Sequence, residues 1–84
     1  MNRDDITRKL ADFILKDILN RPDYPLTEDE PLITGGLIDS HSLVRIAVFV
    51  EKETGINIPD TDLTVKNMDT LRLIVDRLTS EKRD

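Results

Sequence analysis

Between Arg21 and Asp39 the chain reads RPDYPLTEDEPLITGGLID, with three prolines, two adjacent glycines and several turn formers. A regular helix does not survive such a run of breakers, so the stretch is expected to be a long structured loop. A loop of that length in a small domain needs tethering. Leu26, Leu32, Ile33, Leu37 and Ile38 are placed to dip into a core, while Gly35 and Gly36 let the chain turn tightly into the next helix.

Helical patterns flank this loop on both sides. Before it, Ile6, Leu10, Phe13, Ile14 and Ile18 follow the i, i+4, i+7, i+8 spacing of a one-faced amphipathic helix, with Arg3, Lys9, Asp12 and Lys16 on the wet side. That helix is expected over roughly residues 4 to 20, starting at Asp4 or Asp5 and ending before Pro22. After the loop, Leu43, Ile46, Ala47, Val50 and Thr54 share a face and Gly55 supplies a left-handed stop, which predicts a second helix over roughly 40–54. His41, Val44, Arg45, Val48 and Lys52 fall on its far side, and Phe49 points off the core centre. In INIPDTDLTVKNM, Asp60 or Thr61 is positioned to cap one or two helical turns carrying Leu63 and Val65. Asp69 reads as the N-cap of a last helix with Leu71, Ile74, Val75 and Leu78 on one face, fraying into Glu81-Lys82-Arg83-Asp84. The expected fold is all-α: a small four-helix bundle of three longer helices and one short one, forming a single domain over residues 1–84.

At 84 residues the core must be efficient, because ordering the chain costs about 1.5 kcal/mol per residue. With no cysteine there is no disulfide framework, no thiolate nucleophile and no cysteine-based metal site. The start, MNRDDITRKLADF, carries charges where a signal peptide needs an apolar stretch, and no segment approaches the length of a membrane span, so a cytoplasmic location is expected. The net charge is -5, and no base stands between Asp23 and Ser40. Phosphate backbones would be repelled, which argues against nucleic acid as a partner. A surface of this sign favours protein partners with basic patches, unless the charge serves solubility alone.

Signatures of catalysis and ion binding fail on inspection. His41 is the only histidine, and although it adjoins Ser40, neighbouring helical residues do not face each other, so a Ser-His pair is geometrically poor. Asp60-Thr61-Asp62 opens like a calcium loop, yet Val65 stands where glycine is required and Leu71 where glutamate should chelate. No phosphate-loop lysine follows Gly35-Gly36.

The remaining concentration of polar groups is Asp39-Ser40-His41-Ser42, at the mouth of the second helix. One cap, worth about 1 kcal/mol, is enough for a helix, and three candidates crowd the place. A helix N-terminus also holds an anion well, because free N–H groups and the helix dipole point at it. Gly36-Leu37-Ile38-Asp39-Ser40, followed by the helix from Leu43 to Val50, resembles the attachment motif of acyl carrier proteins and peptidyl carrier domains. The resemblance extends over nearly the whole chain: the first amphipathic helix, Leu32 ahead of the glycines, the Gly55-Ile56-Asn57-Ile58-Pro59 turn and the closing helix.

The resemblance implies a stand-alone, monomeric carrier with 4'-phosphopantetheine esterified to Ser40. Asp39 would help present that serine to a phosphopantetheinyl transferase and its magnesium, and Ser42 would be a bystander. The arm ends in the thiol that the chain itself lacks, so the protein displays and delivers without catalysing. Partners would be an acyl- or aminoacyl-activating ligase and downstream synthases or transferases of fatty acid or secondary metabolite biosynthesis. The second helix would present His41, Val44, Arg45, Val48, Glu51 and Lys52 to them, with the valines as an apolar strip inside a polar rim. Alternatively, the loop before the motif covers the valines. The chain departs from the family at His41, where an apolar residue is usual, and at Arg45 and Lys52, which interrupt the acids of the exposed side and leave Glu51 and Glu53. These departures point to a dedicated pathway rather than to the usual fatty-acid synthesis enzymes. The other class of function is a small helical interaction module without a prosthetic group, in which Ser40 only caps.

Overall fold

In the computed structural model, which describes residues 2–82, every regular element is helical. The elements are α1 (Arg3–Phe13), a π-helical turn (Ile14–Ile18), α2 (Ser42–Thr54), a 3-10 turn (Asp60–Asp62), α3 (Val65–Met68) and α4 (Leu71–Lys82). Helix α1 packs against α4 and α2, and α3 against α4. Of the charged tail, Arg83 and Asp84 lie outside the described residues, while α4 itself runs to Lys82.

The core faces match the apolar spacing. Ile6, Leu10 and Ile14 are buried from the first segment, Leu43, Ile46 and Val50 from α2, and Leu71, Ile74, Val75 and Leu78 from α4. Each such side chain contributes about 1.5–3 kcal/mol on burial. From segment 19–41, Leu32 and Ile38 are buried, and Leu26, Ile33 and Leu37 pack half-buried against the same core.

Helix ends differ from expectation wherever another contact competes for the capping residue. Helix α1 begins at Arg3, ahead of the two aspartates, because the side chain of Asn2 accepts from the Asp5 amide at 2.8 Å and caps in their place. Its α-helical hydrogen bonding stops at Phe13 rather than running to residue 20. Beyond it the Leu19 amide reaches back to the Ile14 carbonyl at 2.8 Å and the Arg21 amide to that of Leu15, and Asn20 closes the turn with a left-handed φ of 55°. Asp60 and Thr61 sit in the 3-10 turn, and the side chain capping α3 is Thr64, which accepts from the Asn67 amide. Asp69 does not cap α4. Thr70 does so, its hydroxyl accepting from the Leu73 amide at 3.0 Å.

Asp69 instead holds segment 19–41 against the last helices. Its carboxylate accepts from the Ile33 amide (2.8 Å), the Thr34 amide (3.0 Å) and the Thr34 hydroxyl (2.7 Å), and its carbonyl accepts from the Leu32 amide (2.6 Å). Partial burial raises the pKa of this carboxyl, but the hydrogen bonds from Thr34 and Ile33 together outweigh it and leave the group below the usual carboxylate value. Arg72 adds a two-pronged pair with Asp29 at 2.6 and 3.1 Å. The segment then turns through both glycines for separate reasons. A Cβ on Gly35 would stand 2.2 Å from the Pro31 carbonyl oxygen, and Gly36 has a φ of +81°.

Candidate functional site

The turn delivers a buried Ile38 and then an exposed Asp39-Ser40-His41 to the start of α2. The helix proper starts at Ser42, two residues later than the periodicity indicates, so Ser40 and His41 form the turn that enters it. Asp39 is the cap: one of its carboxylate oxygens accepts from the Ser42 amide at 3.1 Å and from the Ser42 hydroxyl at 3.3 Å. Ser42 is buried and consumed by that contact. The hydroxyl of exposed Ser40 has no hydrogen-bond partner among the described residues, and its backbone carbonyl accepts from Leu43. Thus the three capping candidates separate into one cap, one buried partner of the cap and one exposed hydroxyl without a hydrogen-bond partner among the described residues.

At this helix start the amides of Ser40 and His41 donate to no acceptor among the described residues. Those of Ser42, Leu43 and Val44 already donate to the carbonyls of Asp39, Ser40 and His41 at 3.1, 3.2 and 3.3 Å.

Past the mouth of α2, Val44 and Val48 are 55% and 56% exposed, so the preceding segment does not cover them. They share a face with His41, Arg45, Glu51 and Lys52, all exposed. The Glu51 carboxylate accepts from the Asn57 side chain at 3.0 Å. Arg45 donates to the backbone carbonyl of Asp17 at 3.1 Å, and its guanidinium lies 6.0 Å from the centre of the Phe13 ring. That carbonyl is free because the Arg21 amide bonds to Leu15 and residue 22 is a proline with no N–H to give. The π-helical turn therefore fixes where Arg45 stands.

Phe49, which the periodicity places off the core centre, stacks on Phe13 at 4.3 Å with the rings 15° apart. The pair forms the floor of a groove of about 400 Å³ between α1 and α2, with Val44, Val48, Arg45 and Lys52 among its walls. Phe13 is readable in the sequence as an apolar helix residue, and the off-centre Phe49 together with Val44 and Val48 on the far side of the second helix are the sequence signs of this groove. Among the described residues, no group of three or more His, Asp or Glu is arranged to hold a metal, and no helix is long and apolar enough to cross a membrane. The chain matches no protein-family model and no curated protein.

Proposed function

We propose that the chain is a stand-alone acyl carrier protein with a 4'-phosphopantetheine arm esterified through the Ser40 hydroxyl. The observation that carries this reading is the division of labour at the mouth of α2: Asp39 caps, Ser42 is buried against it, and Ser40 is exposed with an unengaged hydroxyl. A serine retained only as a cap would use its oxygen on a backbone amide. The second carboxylate oxygen of Asp39, the residue preceding Ser40, accepts no hydrogen bond among the described residues, in keeping with a role in presenting the serine to a phosphopantetheinyl transferase and its magnesium. When attached, the arm supplies a terminal thiol for thioester linkage to acyl or aminoacyl groups.

In this reading the helices form a small four-helix bundle, and segment 19–41 is the long structured loop that brings Ser40 to α2 as one monomeric, cytoplasmic carrier domain. The partners are an activating ligase that loads the arm and synthases or transferases that unload it. They meet the face of His41, Val44, Arg45, Val48, Glu51 and Lys52, and the carrier catalyses nothing by itself.

The exposure of Val44 and Val48 equally favours a helical interaction module without an arm. Coexpression with a broad-specificity phosphopantetheinyl transferase separates the two. The carrier gains the mass of one arm, Ser42→Ala gains it as well, and Ser40→Ala does not. A wild-type chain that keeps its unmodified mass would falsify the carrier reading. Ser40→Asp, which replaces an exposed side chain that makes no hydrogen bond among the described residues, abolishes a carrier but leaves an arm-free module working.

A further inference from the structure

The partner-facing side of α2 is cationic along one edge, although the chain as a whole carries a net charge of -5. On the helical wheel Arg45 and Lys52 lie to one side of Val44 and Val48, and Glu51 lies to the other. Neither cation is in an ion pair among the described residues. Arg45 bonds to a backbone carbonyl, and Lys52 has no partner among those residues. Arg21 and Lys66 are likewise without an ion pair among the described residues, but they lie off this face, and Arg3, Arg8, Lys9, Lys16, Arg72 and Arg77 each face a carboxylate. The groove over Phe13 and Phe49 thus has two cations in its wall against the single carboxylate of Asp17.

We infer that this groove receives an acid-bearing amphipathic helix of a partner protein. Its apolar residues would lie between the valines and the Phe13–Phe49 pair, and two carboxylates would meet Arg45 and Lys52. One heptad separates the two cations, or about 10 Å along the axis, which asks for acids one heptad apart on the incoming helix. Opposite charges at the rim fix register and reject partners whose rim is basic, since like charges are then brought together. The inference rests on the reading of α2 as the face that partners meet, and not on the arm.

The test uses the full chain, before and after transferase treatment, and two stapled helical peptides followed by heteronuclear NMR. One peptide carries leucines at i, i+4 and glutamates one heptad apart; the other has lysines in place of the glutamates. The glutamate peptide is expected to bind roughly tenfold tighter, to shift the signals of Val44, Val48 and Phe49, and to lose that advantage near about 1 M salt. Lys52→Glu, at an exposed side chain, is expected to reduce the advantage at least roughly threefold, and Arg45→Glu with Lys52→Glu to reverse it. Equal binding, a preference for lysine, shifts confined to other faces, or no binding of either peptide at millimolar concentration overturns the inference. So does self-association of the chain through this same face in sedimentation. Intact mass on the same samples keeps the two readings apart: an arm on Ser40 with no glutamate preference rejects only the acid-bearing partner, and a glutamate preference without an arm rejects only the carrier.

Discussion

The same dipeptide chemistry opens two helices of this protein and is used in opposite ways. Asp39-Ser40 precedes α2 and Asp69-Thr70 precedes α4, each an aspartate followed by a hydroxyl residue. At α4 the hydroxyl of Thr70 caps the helix and the carboxylate of Asp69 leaves to hold Ile33 and Thr34. At α2 the carboxylate of Asp39 caps, and the hydroxyl of Ser40 has no hydrogen-bonding task among the described residues. A helix mouth with both groups employed is architecture. One with an exposed hydroxyl that makes no hydrogen bond beside an occupied cap leaves that hydroxyl to the proposed attachment.

The largest effect on stability is expected at the clasp. Asp69→Ala removes a charged acceptor from three donors, and a loss of about 1–3 kcal/mol is expected by denaturant titration, toward the lower end because Thr34 is exposed. The pH dependence has a definite sign. Because the folded carboxyl lies below its usual value, its contribution is complete above the unfolded pKa and is lost as pH falls through the folded one. Wild type should therefore exceed Asp69→Asn in Tm by more at about pH 7 than at about pH 3, and a gap that does not narrow on acidification would show that the carboxylate charge plays no part.

Next come the two true caps. Thr70→Ala and Asp39→Ala are each expected to cost about 1 kcal/mol. Asp39→Asn, which keeps an oxygen for the Ser42 amide, should recover most of the stability, and under the proposed carrier function it should also slow transfer of the arm to Ser40. Rapid modification of Asp39→Asn would remove the presenting role from Asp39.

The smallest change is expected at Ser40. Ser40→Ala should alter stability by less than about 0.5 kcal/mol, since the hydroxyl is exposed and has no hydrogen-bond partner among the described residues. If Ser40→Ala destabilises the chain as much as Thr70→Ala does, the two helix mouths are equivalent and the contrast between them collapses.

Much of the fold is legible in the amino-acid sequence, because it depends on neighbours along the chain. The buried faces of α1, α2 and α4 follow from apolar residues three and four apart, and Gly55, with a φ of 77°, ends α2 at the expected left-handed stop. The identity of the caps is legible at neither Asp60 nor Asp69. Aspartate and threonine are both good caps, and the choice between them at α4 is made by Thr34, across 35 residues. The π-helical turn leaves no sequence mark either. Its consequence, the placement of Arg45 on a carbonyl 28 residues away, requires α1 and α2 to be packed together first.

By itself the sequence determined an all-helical chain, the faces its helices bury, and Ser40 at the mouth of the second helix, because periodicity and turn chemistry act within a few residues. The choice of Asp39 rather than Ser40 as the cap of that helix is made within three residues, whereas only the tertiary structure decided that Val44 and Val48 remain uncovered and that Phe13 and Phe49 line a groove edged by Arg45 and Lys52. Those outcomes are competitions between local and distant partners for the same donors, acceptors and apolar surface. The packed arrangement of the helices settles them.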